Sequence, residues 1–328
     1  MRIFSGIQPT GRKHLGNYIG AVRGYLEGQE RADPAIYCIV DLHATSVAYD
    51  PETLPGYVHD TAAMLIASGL DPERCILFRQ SDVKEHTELT WLLSSVTPYG
   101  DLQRMHQFKE KSERERELVR TSLFLYPVLQ TADILAYKAH EVPVGDDQRQ
   151  HIELAREIAR RFNQTYGEVF AEPKHVIPEV GARIMDLQDP TAKMSTTGGT
   201  ENGLVYVDDE PDAIRAKLKR AQTDSGSDVV RGPGKEGIAN LIEILSVVRG
   251  VDPAEVEREF AGSGYGDFKT AVGDAVVDYL APVRERYKDL RPDQERVEAA
   301  LRQGAERARE MASTTLAEVR GVMGIGPA

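Results

Sequence analysis

Two loops in this chain carry residue types that hold polyphosphates. Near the N-terminus, Ser5-Gly6-Ile7-Gln8-Pro9-Thr10-Gly11-Arg12-Lys13-His14-Leu15-Gly16-Asn17 runs from a short apolar stretch toward the apolar Ile19, Ala21 and Val22, a glycine-rich strand-to-helix pattern. Such connections bind phosphate because small residues let backbone N–H groups approach the anion and the helix N-terminus adds a partial positive charge. The glycine spacing matches neither a P-loop nor a dinucleotide fingerprint, and by itself the stretch also reads as a turn with a helix cap. Far downstream, Lys193-Met194-Ser195-Thr196-Thr197 leads into Gly198-Gly199. A lysine and hydroxyls on a flexible loop suit a polyphosphate that is gripped only during reaction. Asp133 stands apart from both, among Val128, Leu129, Ala132, Ile134 and Leu135. An unpaired carboxylate is costly to bury there, so it needs a donor.

The elements that must position these groups alternate. Ile36-Tyr37-Cys38-Ile39-Val40 and Cys75-Ile76-Leu77-Phe78 are near-continuous apolar runs that read as buried parallel strands. Between and beyond them, residues 57–69 and 151–162 repeat apolar side chains at helical spacing. Strands alternating with helices predict a Rossmann-like α/β fold with a parallel sheet, its ligands beyond the carboxyl ends of the strands. After Met185 the texture changes to Pro190, a Gly/Thr-rich stretch and segments that read as helices, including 239–248 and 293–322. We therefore expect a Rossmann-like catalytic domain over residues 1–184 and a smaller helical domain over 185–328, the terminal helix packing back on the first. The apolar stripes of these helices read as core or subunit interface.

The 328 residues exceed one usual core. Lys and Arg total 40 against 52 Asp and Glu, a net charge of −12, with 41% hydrophobic and 28% charged residues. That composition excludes a disordered or collagen-like chain and a protein whose whole surface is a basic nucleic-acid footprint. Cys38 and Cys75 sit in apolar runs, which fits reduced, buried thiols and a cytosolic location. No export signal is read at the start, and the longest uncharged stretch, Thr121 to Ala132, falls short of the roughly 20 residues a membrane span needs.

Taken together, the two loops resemble the His-Ile-Gly-His and Lys-Met-Ser-Lys-Ser signatures of class I aminoacyl-tRNA synthetases. Tyr126-Pro127-Val128-Leu129-Gln130-Thr131-Ala132-Asp133-Ile134-Leu135 and Val142-Pro143-Val144-Gly145-Asp146-Asp147-Gln148 narrow this further. With the opening Phe4 to Gly11, they resemble the bacterial tryptophanyl-tRNA synthetases over nearly the whole chain. That resemblance implies attack of the tryptophan carboxylate on the α-phosphorus of ATP, release of pyrophosphate, and transfer of tryptophan from the adenylate to tRNA(Trp). It implies an ATP site formed by Gln8, Pro9, Thr10, His14, Gly16, Asn17, Gly145, Asp146, Asp147 and Ile184, with Lys193, Met194, Ser195, Thr196 and Thr197 closing over the phosphates. Lys111, Lys193 and Ser195 would act on the leaving group. Phe4, Gly6, Gln8, His43, Tyr126, Asp133 and Gln148 would hold tryptophan, with Asp133 on the indole N–H. Magnesium would arrive with ATP, no Cys/His spacing points to zinc, and a homodimer is implied.

The chain departs from the pattern twice. Thr196 stands where the second lysine of the loop is expected, and Gln130 where an apolar residue would face the ring. The competing readings are a tyrosyl-tRNA synthetase, a duplicated synthetase kept as a sensor or resistant spare, and a small-molecule nucleotidyltransferase. For tRNA, residues 212–235 carry six Lys/Arg against three acids and are the candidate contact.

Overall fold

The computed structural model describes residues 1–105, 119–145, 148–176, 183–195 and 199–326. Its centre is a five-stranded parallel sheet in the order β3-β2-β1-β4-β5. The strands are β1 (Ile3–Ile7), β2 (Ala35–Ile39), β3 (Ile76–Arg79), β4 (Glu141–Pro143) and β5 (Lys174–Val176). This is the parallel α/β sheet expected from the alternating pattern. The chain lays down β1, β2 and β3 outward, then returns to put β4 on the other side of β1. In such sheets the crevice outside the carboxyl ends at the reversal, here between β1 and β4, is where ligands bind.

β2 is buried at every position because helices cover both faces of the sheet. Its side chains alternate: Tyr37 and Ile39 join one apolar cluster, and Ile36 and Cys38 join the other. The crossover from β1 to β2 runs through Leu15–Asn17, a π-helical Tyr18–Val22 and α1 (Arg23–Arg31). The remaining long helices are α2 (Leu54–Ser68), α3 (Glu85–Ser94), α4 (Thr121–Leu135), α5 (Arg149–Tyr166), α6 (Pro211–Lys219), α7 (Glu236–Arg249), α8 (Tyr265–Leu290) and α9 (Gln294–Met323). α2 begins with a proline in its first turn and ends at Gly69, whose φ of 119° few other residues adopt.

The first cluster runs unbroken from Ile7, Leu15 and Ile39 through Ile184, Leu187 and Met194 to Leu241, Phe268 and Leu301. The helices beyond residue 184 thus share one apolar core with the sheet. α9 crosses from that cluster to the other, with Val297 and Leu301 in the first and Ala305, Ala308, Ala312, Leu316 and Val319 in the second. It lies on β3, where Arg307 donates to the carbonyls of Pro72 and Cys75 at 3.0 and 2.9 Å. Gly304 makes this crossing possible, since a Cβ there would collide with the Leu77 carbonyl. Gly304→Ala adds about 1 kcal/mol of helix propensity but costs about 3 kcal/mol in overpacking. A net loss of about 2 kcal/mol is expected in urea unfolding, and a more stable variant would refute this crossing.

Candidate active site

The crevice beyond β1 and β4 opens into a cavity of about 310 Å³. β1 contributes Phe4, Ser5 and Gly6 and then Gln8, β4 and its exit contribute Val142 and Val144, and α4 contributes Tyr126, Gln130, Asp133 and Ile134. Val40, His43 and Ser46 follow β2, and Gln148 caps the N-terminus of α5. All the residues assigned from sequence to the amino-acid side chain therefore line one cavity. Gln130 lines it too, with its amide 3.5 Å from Gln148 Oε1, so a polar group stands where an apolar one was expected. Gly6 leaves the wall open, because a Cβ there would lie 3.2 Å from Val40.

Asp133 is the buried charge of this cavity, 1% exposed. His43 Nε2 donates to Oδ2 at 2.8 Å, Gln80 Nε2 donates to Oδ1 at 2.7 Å, and His86 Nδ1 lies 2.8 Å from Oδ1. Burial alone would push the carboxyl up, but the contacts from His43 and His86 outweigh it and hold the group ionised well below its usual range. A carboxylate accepts at about four lone pairs. Gln80 occupies one position on Oδ1 and His43 one on Oδ2, while His86 Nδ1 lies close to Oδ1 without hydrogen-bond geometry, so the carboxylate keeps acceptor capacity. Gln80 is fixed from its other end, since its Oε1 accepts the Leu42 N–H at 3.1 Å. His86 Nε2 lies 2.6 Å from the Tyr137 hydroxyl. Neither Gln80 nor His86 was read as a site residue. The available signal for Gln80 was its place directly after β3, as His43 follows β2.

The two phosphate-type loops meet beside the cavity. His14 Nδ1 accepts the Asn17 N–H at 3.2 Å while Asn17 Oδ1 accepts the His14 N–H at 3.3 Å, a reciprocal cap. Burial, with the charges of Lys13 and Lys193, lowers the imidazole to about 4. It is therefore neutral at pH 7, and because Nδ1 accepts, Nε2 carries the proton and is left as a donor. Gly16 permits the approach of the second loop: a Cβ would fall 3.1 Å from His14 Nδ1 and 3.4 Å from Met194 Cβ.

The second loop is pinned on both sides. Met194 N donates to the Ile184 carbonyl at 3.0 Å, Asp186 N to the Ala192 carbonyl at 2.9 Å, and Asn240 on α7 clamps both backbone polar groups of Met185. Leu15 N donates to the Val205 carbonyl at 2.7 Å and Val207 N to the Lys13 carbonyl at 2.9 Å, tying the loops directly together. Arg12 adds ion pairs to Asp208 and Asp209 and lies 4.0 Å from the Tyr206 ring centroid.

Gln8 and Thr10 are exposed at the end of β1, with Pro9 buried between them, and Lys193 is exposed with Ser195 half-buried. Gly145 is exposed, and its carbonyl accepts the Gln148 N–H at 3.0 Å. Ile184 is 1% exposed, its side chain packed in the first apolar cluster. Lys111, Asp146, Asp147, Thr196 and Thr197 lie outside the described residues. Among the described residues no group of three or more His, Cys, Asp or Glu is arranged to hold a metal ion.

The profile of the family described as tRNA synthetases class I (W and Y) matches residues 1–281. The chain belongs to that family. It is 47% identical over 330 residues to tryptophan--tRNA ligase 1 of Streptomyces coelicolor, covering 99% of this chain and 98% of that one. Among solved structures it resembles the tryptophanyl-tRNA synthetase of Mycoplasma pneumoniae, with a TM-score of 0.87 and 33% identity over 99% of this chain and 98% of that one. It equally resembles that of Campylobacter jejuni complexed with ADP and tryptophan, with a TM-score of 0.86 and 32% identity over 99% of this chain and all of that one. The class I tRNA synthetase fold thus extends through the helical residues beyond the matched profile.

Proposed function

We propose that this chain is a tryptophan–tRNA ligase. It activates L-tryptophan with ATP to tryptophanyl-adenylate and pyrophosphate, then transfers tryptophan to the 3′ end of tRNA(Trp). The observation that carries the choice of amino acid is the ionised Asp133 lining the cavity with acceptor capacity beyond its bonds to His43 and Gln80, which fits an N–H donor on an otherwise apolar ring. The full-length similarity to tryptophan--tRNA ligases supports the same choice over tyrosine.

In the first step the tryptophan carboxylate attacks the α-phosphorus, and the bond to pyrophosphate breaks. The carboxylate is already ionised at pH 7, so no general base is needed, and positioning and charge stabilisation supply the acceleration. Neutral His14 offers Nε2–H to the phosphates of the magnesium–ATP complex that serves as substrate, and Lys193 with Ser195 closes on the leaving pyrophosphate. Lys111 shares that task, Asp146 and Asp147 with Gly145 take the ribose, and Thr196 and Thr197 complete the closing loop.

Residues 185–328 carry the lysine loop, which serves the reaction together with the catalytic portion 1–184, and the helical region for the anticodon part of tRNA. Within 212–235, Arg215, Lys217, Arg231 and Lys235 are ion-paired with Asp274, Asp209, Glu257 and Asp224. Lys219 and Arg220 are exposed cations of that stretch, and tRNA contact is narrowed toward them. A homodimer is supported by exposed apolar side chains around α3 and α4: Trp91 on α3 is 78% exposed, Leu125 on α4 37%, and Tyr99 in the segment between these helices 68%. Among the described residues no helix is long and apolar enough to cross a membrane, and a cytoplasmic location follows from the role in translation.

Pyrophosphate exchange across a panel of amino acids, followed by charging of tRNA, tests the reading. Exchange is expected with tryptophan, and with phenylalanine and tyrosine only at kcat/KM values lower by about 1,000-fold or more. Preference for tyrosine would overturn it, and exchange without charging would mark a sensor or spare copy.

A further inference from the structure

Lys13 is a cation that the first loop leaves without a carboxylate partner among the described residues. Its neighbour Arg12 is paired with Asp208 and Asp209. Lys13 bends back onto its own loop, Nζ donating to the Gln8 carbonyl at 2.9 Å, the Thr10 carbonyl at 3.3 Å and the Thr10 hydroxyl at 3.5 Å. The two contacts to Thr10 are long and neutral, and an ammonium exchanges such contacts for a shorter, charge-assisted one to an anion. Backbone carbonyls anchor the group without neutralising it. This matters where the loop supplies Gln8, Thr10 and His14 to the phosphate side of the site. The charges of Lys13 and Lys193 both act on the His14 imidazole, so each loop brings a lysine into the surroundings of His14. Burial also lowers the Lys13 ammonium to about 8, the mark of a partly desolvated cation that an anion would relieve.

We infer that Lys13 is a polyphosphate-binding residue of the activation step, acting with Lys193 on the terminal phosphates of ATP and on the departing pyrophosphate. It supplies the positive charge that Thr196 does not. The inference rests on the adenylation reading above and adds to it a residue that neither loop signature contains.

A phosphate beside the ammonium favours its charged form, so ATP binding above about pH 8 takes up a proton at Lys13. Of the other charges around it, Arg12 is a paired guanidinium, His14 is neutral above about pH 4, and Lys193 is common to wild type and Lys13→Arg, so its contribution cancels in their comparison. Wild type, Lys13→Met and Lys13→Arg are compared in tryptophan-dependent pyrophosphate exchange. Calorimetric titration with magnesium ATP, without tryptophan and at about pH 8.5, is run in two buffers of different ionisation enthalpy.

Lys13→Met is expected to raise the KM for ATP or lower kcat by about tenfold, with tryptophan affinity within about twofold of wild type. Lys13→Arg is expected to recover most of the rate but to take up no proton. Exchange by Lys13→Met within about twofold of wild type, or proton uptake undiminished in Lys13→Arg, would overturn the inference. Wild-type protein that binds ATP with proton uptake yet shows no tryptophan-dependent exchange would sink the adenylation reading and leave Lys13 as a phosphate ligand.

Discussion

Asp133→Asn is expected to cut the preference for tryptophan over phenylalanine by about 100-fold or more. The amide has one oxygen with two lone pairs where the carboxylate offers about four, and its NH₂ group is a donor. His43, Gln80 and His86 already crowd the carboxylate oxygens at 2.7–2.8 Å, so the amide cannot satisfy them and an indole N–H together. Each donor left unpaired in the cavity costs about 1–3 kcal/mol, and the variant should also unfold at a lower temperature. The discriminating measurement is the ratio of kcat/KM for the two amino acids in exchange, because lower stability alone does not change a ratio. An unaltered ratio would take Asp133 out of substrate selection.

Lys193→Ala is expected to slow adenylation by an order of magnitude or more, as loss of a transition-state donor does. The effect should fall on kcat rather than on tryptophan binding, since Lys193 is not among the residues lining the amino-acid cavity. Its backbone is held in an antiparallel bridge to Met185 and its side chain is exposed, so truncation should leave the fold intact. Single-turnover adenylate formation separates this from slow product release. A wild-type rate would remove Lys193 from the mechanism, and the same criterion applies to Lys111→Ala.

The parts of this architecture that were legible in the sequence are those built on long, continuous patterns. β2 and β3 appear within a residue of their apolar runs, because strands buried on both faces leave no polar position to blur the ends. The helix expected over 151–162 extends to Arg149–Tyr166 for a similar reason, its apolar side chains recurring on one face. β4 and β5 were not legible. Each has three residues, too few to show a period, and β4 exists only because β1 offers it an edge.

The site divides the same way. Residues in local runs, such as His14 to Asn17 or Tyr126 to Asp133, could be recognised from their neighbours. Gln80 and His86 reach Asp133 from more than forty positions away; Gln80 is marked only by its place after β3, and nothing in Glu85-His86-Thr87 marks His86. The net charge of residues 212–235 overstates its free positive charge for a related reason. Arg215 and Arg231 are paired with acids on distant segments, Asp274 and Glu257, while Lys219 and Arg220 stay exposed.

Trp91 is the single tryptophan of the chain, and it stands on an exposed face of α3. The protein therefore carries one indole fluorophore besides its 13 tyrosines, exposed on the single chain and absent from the lining of the cavity that Phe4, Tyr126 and Asp133 enclose. Its emission reports the burial of that face without any label, while light from a bound substrate indole would come from a separate, drier site. The same economy reaches the ribosome, since making one copy of this enzyme consumes a single charged tryptophan tRNA.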